Sequence, residues 1–193
     1  MLKSIFLTAL AVAIALGGGA GSVWLALDSD LEFDTVTVGD WSAFPSRGTP
    51  DADPYAKARF SRTADLALGR GEGLTFTARH DADGEPLRGS CTYRLEGPTP
   101  SARFWTLHAR DVEDRLIEPA SNRASALHSY AVLRQQDNTV VTLVSRHPQP
   151  GNWLAVRPGE FSLVLSLYDT AISSSSRIGE VELPRIIREG CDG

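Results

Sequence analysis

The chain carries few of the devices by which small proteins do chemistry. Its two cysteines, Cys91 and Cys191, form no Cys-x-x-Cys pair and have no histidine at ligand spacing, which speaks against dithiol redox catalysis and zinc. The four histidines, His80, His108, His128 and His147, contain no His-x-x-x-His, so no metal and no cofactor is assigned. A Gly-x-Ser-x-Gly elbow is missing, and no catalytic residue is assigned. The glycine-rich run GRGEG at 69–73 leads into a strand pattern; without a following helix N-terminus it lacks a phosphate cradle and reads as a turn. A basic stripe is also missing. Lys and Arg total 19 against 24 acidic side chains, for a net charge of −5. With the arginines scattered, no nucleic-acid partner is expected.

What is present starts near the amino terminus. Residues 5–27, IFLTALAVAIALGGGAGSVWLAL, carry no charge. As a helix they would extend about 34 Å, enough for a bilayer core of about 30 Å. Lys3 precedes this run and Asp28, Asp30, Glu32 and Asp34 follow it, so the positive-inside rule sends the rest of the chain outward. The expectation is a single-pass inner-membrane protein with its C-terminal domain in the periplasm. The competing reading is a secretory signal cut after Ala20 within GGGAGS, which would release the domain into the periplasm. The apolar run continuing past that point, with Trp24 at an interface position, favours the uncleaved anchor. The domain boundaries follow as 1–30 for the anchor or signal segment and 31–193 for the folded domain.

Export fits the even cysteine count. A structural Cys91–Cys191 bridge is expected; it would close a loop of about 100 residues, worth roughly 4 to 5 kcal/mol in the chain-entropy model.

A short leading strand is expected at 33–38, then a helix in DPYAKARFSR, with Asp53 as N-cap and Pro54 at the first helical position, running to about Ala64. Beyond Gly73 the period becomes two. Leu74, Phe76 and Ala78 share a face, as do Cys91, Tyr93 and Leu95, and Trp105, Leu107 and Ala109. LHSYAVLRQ, TVVTLVSR and FSLVLSLYD continue the pattern, with QDN as a hairpin turn between the first two. AISSSSRIGE reads as a solvated loop before a last strand. Strands with turns every ten or so residues and only one short helix argue for an antiparallel β-sandwich, preceded by the transmembrane helix.

DADPYAKARFSR, ARFWTLHARD, the NR pair at 122–123, PGNWLAV and FSLVLSLYDT, in that order, resemble the domain-of-unknown-function family 1214, in particular its short membrane-anchored members. The resemblance implies a β-sandwich-like domain in the bacterial envelope and no established activity. The chain departs from the family pattern in DVEDRL, where Glu113 and Asp114 replace an Asp-Gly turn, and in Ser166, where relatives carry arginine before LYD.

Candidate site residues are sparse. Asp111, Glu113, Asp114 and Glu118 crowd one loop, which reads as solvated unless two of them face a substrate across a cleft. In HPQPGNWLAV at 147–156, Pro150, Gly151 and Asn152 reverse the chain, and Trp153 and Leu154 drop into the sandwich. The alternative is a ligand groove for an anionic or carbohydrate ligand using Tyr93, Trp105, Arg123, Asn152 and Trp153. The function expected is a non-catalytic envelope module that binds another envelope protein or component. Its alternative is a periplasmic enzyme acting on a sugar or small anion through the loop carboxylates and Arg123.

Overall fold

A computed structural model of the protein describes residues 2–28, 35–63, 68–119, 124–174 and 178–192. Its elements are helix α1 (Leu2–Asp28), strands β1 (Val36–Val38) and β2 (Trp41–Ala43), helix α2 (Pro54–Thr63), and strands β3 (Gly73–Ala78), β4 (Cys91–Glu96), β5 (Phe104–Asp111), β6 (Ala126–His128), β7 (Thr142–Ser145), β8 (Asn152–Ala155), β9 (Phe161–Tyr168) and β10 (Arg185–Cys191). By backbone contacts the chain divides into two units. One comprises Met1–Phe33 and Pro50–Ala67, the other Asp34–Thr49 and Leu68–Gly193.

The first unit holds the two α-helices. Within α1, Leu2–Leu25 is long and apolar enough to cross a membrane, and none of it is buried. The glycines at 17–19 and 21 do not interrupt it. Two of its hydroxyls are satisfied without solvent, because Thr8 Oγ1 donates to the Ser4 carbonyl and Ser22 Oγ to the Gly19 carbonyl, each at 2.9 Å. That is how such side chains are accommodated in an apolar medium. Helix α2 starts as its sequence dictates. Asp53 Oδ1 accepts the Ala56 N–H at 3.0 Å and the Asp53 carbonyl accepts the Lys57 N–H at 3.0 Å, while Pro54 occupies the first turn, where no N–H is needed.

The second unit is two sheets over one core. The first has the order β1-β2-β3-β9-β5-β6 and the second β10-β4-β7-β8. All pairings in the first sheet are antiparallel; in the second, β7 and β8 run parallel. The period-two faces pack inward as their spacing requires: Leu74, Phe76 and Ala78 from β3, Tyr93 and Leu95 from β4, and Trp105, Leu107 and Ala109 from β5 are all buried. Tyr93 meets Phe161 edge to face across the two sheets, ring centroids 5.9 Å apart, a favoured aromatic geometry. Strand β9 is buried on both faces from Phe161 to Leu167, Val164 and Ser166 included, and its two edges are paired by β3 and β5.

The expected hairpin around QDN is not formed. The turn itself exists, with the Gln135 N–H bonded to the Thr139 carbonyl at 2.9 Å and Asn138 at φ 67°. Its flanks go to different sheets, however: β6 keeps only three residues and pairs with β5, while β7 pairs with β4 and β8. The alternation in LHSYAVLRQ is not matched by burial, since Tyr130 and Leu133 are exposed, so nothing extends the strand past His128. AISSSSRIGE also differs from expectation. It contributes 3₁₀ turns at Ala171–Ser174 and Ile178–Glu180, with Ser173 and Ile178 buried.

The last strand is fastened at both ends. Cys191 lies opposite Cys91 in the β10–β4 register and the two form a disulfide across 100 positions of sequence. At the other end the Trp41 indole N–H, in a side chain only 1% exposed, donates to the Pro184 carbonyl at 2.7 Å. The Ile186 N–H donates to Asp40 Oδ2 at 2.8 Å, and the Ile186 carbonyl accepts from Ala82 at 2.9 Å. Both backbone groups of this edge residue are therefore occupied, which blunts the edge against strand addition. Between these ends, Arg188 pairs with the buried Asp81 carboxylate at 2.5 Å. Glycine is required at position 89, where a Cβ would overlap the Arg157 carbonyl.

Two outcomes follow for stability. Reducing the disulfide should lower unfolding free energy by at most about 4.7 kcal/mol, the loop-closure value for this span, seen as a melting temperature several degrees lower in calorimetry. Trp41→Phe keeps most of the apolar volume but leaves the Pro184 carbonyl without its donor, so urea denaturation should show a loss of about 1 to 3 kcal/mol, against about 3 to 5 kcal/mol for Trp41→Ala.

Candidate ligand-binding groove

The residues singled out in the sequence fall into separate places. Tyr93 and Trp105 are 0% and 5% exposed; they fill the space between the sheets, and the Tyr93 hydroxyl accepts the Arg88 N–H at 2.8 Å. Asn152 and Trp153 lie on β8. Arg123 lies outside the described residues, as does Asn122. A ligand could not reach Tyr93 or Trp105 without opening the core.

The stretch around Asn152 is a tie between segments. Asn152 Oδ1 accepts the Leu133 N–H at 2.7 Å, and its Nδ2 donates to the carbonyls of Leu133 and Val141 at 2.8 and 2.9 Å. One carboxamide thus holds the chain where it passes from the first sheet to the second. Consecutive strand residues point to opposite faces, so Trp153 and Leu154 cannot both enter the core. Leu154 does, at 1% exposure. Trp153 is half-buried on the other face, where its indole N–H donates to Ser145 O and Oγ, both at 3.1 Å.

Two of the four loop carboxylates, Asp111 and Glu113, are engaged with their own turn. Asp111 Oδ1 accepts the N–H groups of Glu113 and Arg115 at 2.9 and 3.0 Å, and Oδ2 meets the Arg115 guanidinium at 3.0 Å. Glu113 pairs with the same arginine. The Arg115 N–H above all holds the Asp111 carboxyl below its ordinary 3.8. Asp114 takes a left-handed φ of 59° at the turn.

The histidines sit apart, at a bridge to Pro86 (His80), on β5 beside Arg110 (His108), on β6 against Phe104 (His128) and 3.4 Å from Asp192 (His147). Among the described residues no three His, Cys, Asp or Glu side chains converge.

A cleft of about 1070 Å³, open to solvent, lies elsewhere on the β domain. Four stretches line it: 38–39 at the β1–β2 turn, 96–98 after β4, 135–141 around the tight turn, and 181–185 leading into β10. Its apolar surface comes from Val38, Val141, Val181 and Leu183; its charges are Glu96, Asp137, Glu182 and Arg185. Position follows from the fold. The Trp41–Pro184 bond sets the 181–185 wall, Asn152 sets the 135–141 wall through Val141, and Arg185 stands opposite Glu96 in the β10–β4 register.

The polar groups in the groove differ in how far they are committed. Glu96 pairs with Arg94 at 3.1 Å, and Arg94 also meets Glu189 at 3.0 Å. Asp137 Oδ1 accepts the Thr139 hydroxyl at 2.7 Å and the Thr139 N–H at 3.0 Å. That hydroxyl, then the N–H, hold its carboxyl below the ordinary 3.8. Among the described residues, no hydrogen bond or ion pair engages Glu182, Arg185 or the side-chain amides of Gln135 and Gln136. Periodicity does not reveal this site, because its residues come from turns and strand ends distributed between 38 and 185.

A two-sheet β domain with a lateral groove and no assembled catalytic set among its described residues is the class that fold and site define. The family model described as "Protein of unknown function (DUF1214)" matches residues 72–172, and the chain belongs to that family. No curated protein matches the chain. Among solved structures, the VPA0106 protein from Vibrio parahaemolyticus is similar with a TM-score of 0.57 at 19% identity, over 71% of this chain and 35% of that one. An uncharacterised protein from Burkholderia cenocepacia is similar with a TM-score of 0.46 at 17% identity, over 96% of this chain and 52% of that one. The chain therefore spans between about a third and a half of the length of those two proteins. The first likeness is one of fold.

The two depressed carboxyls give a pH test. A group whose folded pKa is depressed contributes stability above its unfolded value and loses it as pH falls through the folded value. Carbon-13 titration should therefore place the Asp111 and Asp137 midpoints below 3.8. Thr139→Val should move the Asp137 midpoint up towards 3.8 and leave that of Asp111 in place.

Proposed function

We propose that this chain is a membrane-anchored binding module of the cell envelope, held in the inner membrane by α1, with the β domain in the periplasm taking a partner into the lateral groove. The observation that carries the reading is the groove itself: about 1070 Å³ of open cleft, with Glu182, Arg185 and two carboxamides that the protein does not use internally. Unspent polar groups beside apolar surface are what a binding site needs for orientation and affinity. The anchor reading is supported by the unburied apolar span Leu2–Leu25. The periplasmic reading is supported by the Cys91–Cys191 disulfide, a bond that persists in oxidising compartments.

Two measurements check this. Alkaline carbonate should leave the full chain in the membrane pellet; release, or a mature chain beginning near Gly21, would identify a cleaved signal instead. For the groove, a photo-crosslinking side chain at Gln136 should give a discrete adduct in intact cells, while the same group at Val112, 75% exposed but outside the groove, should not. Adducts from position 112 alone, or none from position 136, would dismiss the groove as the binding site.

A further inference from the structure

We propose that the groove takes a basic, partly apolar segment of another polypeptide, an assignment that rests on the groove being a binding site.

Charge is the first argument. Of the three carboxylates in the lining, Glu96 is already paired with Arg94, which leaves Asp137 and Glu182 against the single lining guanidinium, Arg185, a net charge of about −1. Glu182 is unengaged, and Asp137 has committed only one oxygen, to Thr139. Both offer acceptors to a lysine or arginine, and neither is ion-paired within the described residues. Charge of one sign around a cleft favours a partner of the other, through encounter rate and through rejection of like charge.

Chemistry beyond charge selects a polypeptide. Val38, Val141, Val181 and Leu183 give the cleft an apolar surface that suits aliphatic side chains. Gln135 and Gln136 each bring a carboxamide that donates and accepts, the pairing that a peptide backbone offers in return. A polyamine would satisfy the carboxylates but would leave the carboxamides without acceptors. No aromatic side chain is among the lining residues, so the stacking platform on which sugars and bases are commonly held is missing. At about 1070 Å³ the cleft stands at the upper end of the range for ligand sites, about 300 to 1000 Å³, and its open side lets a chain enter and leave.

The test uses the full chain in neutral detergent micelles and fluorescence anisotropy. Three probes are compared: a short labelled peptide alternating leucine or valine with arginine or lysine, the same peptide with every basic residue replaced by glutamate, and spermine as competitor. The basic peptide should bind in a salt-sensitive way, and the acidic one at least about tenfold more weakly. Asp137→Asn combined with Glu182→Gln should weaken the basic peptide by about tenfold. Both sites are exposed, and unchanged circular dichroism would show that the variant folds. Gln136→Trp, which fills the cleft from its rim, should abolish binding of the same probe. Equal binding of the two peptides, no binding of either, indifference to the double substitution, or spermine displacing the peptide at matching charge concentration would overturn the assignment. Photo-crosslinking at Gln136 separates this failure from that of the groove: adducts there with no charge preference retain the groove and remove the basic segment, whereas no adducts remove both.

Discussion

A buried indole N–H has to find an acceptor, and much of the β domain depends on how Trp41 finds one. Its donor is shut away from water between the sheets and meets the Pro184 carbonyl at 2.7 Å. An unmade bond there would cost about 1 to 3 kcal/mol, a sizeable part of a domain's net stability. The chain therefore crosses at Pro184 from the first sheet's end to the start of the second sheet's edge. From that point Arg185 to Cys191 runs along β4. The groove wall at 181–185 is a by-product of the same crossing, so a site that contributes nothing to the core is still placed by it.

Much of this architecture was legible in the residues. Period-two alternation gave the faces of β3, β4 and β5, because a strand half covered by a core writes its burial directly into residue order. Asp53-Pro54 named the start of α2, since only a few residue types cap a helix without leaving orphan donors. What alternation could not convey is which strands pair. LHSYAVLRQ and TVVTLVSR, joined by a tight turn, look like neighbours, yet the turn marks a passage between sheets. The information that separates them lies in Asn152, whose carboxamide grips Leu133 and Val141 from further along the chain. Likewise the parallel β7–β8 pair has no local signature; Trp153 folding back onto Ser145 fastens it.

The groove was illegible for a related reason. Its residue types are those of ordinary turns, Gly39, Pro98, Gln136 and Asp137 among them, and only three-dimensional closure brings them together. The family match covers residues 72–172, which includes the walls at 96–98 and 135–141 but neither Val38 nor 181–185. Half of the groove thus belongs to the region shared with the family, and half to the flanks of this chain. Binding specificity built on both halves would be free to vary between members with the same central strands.

The staple between Cys91 and Cys191 also sets a timetable. Strand β4 is synthesised about a hundred positions before its partner β10. Until then one side of β4 has no neighbour, and contacts between such distant parts form slowly because a long loop must close first. An unpaired strand edge is a place where chains join wrongly. The interval between the synthesis of Cys91 and that of Cys191 is when this edge is open to wrong pairing. Oxidation ends that interval, because once the two sulfurs are joined the last strand cannot drift away to leave the edge bare again.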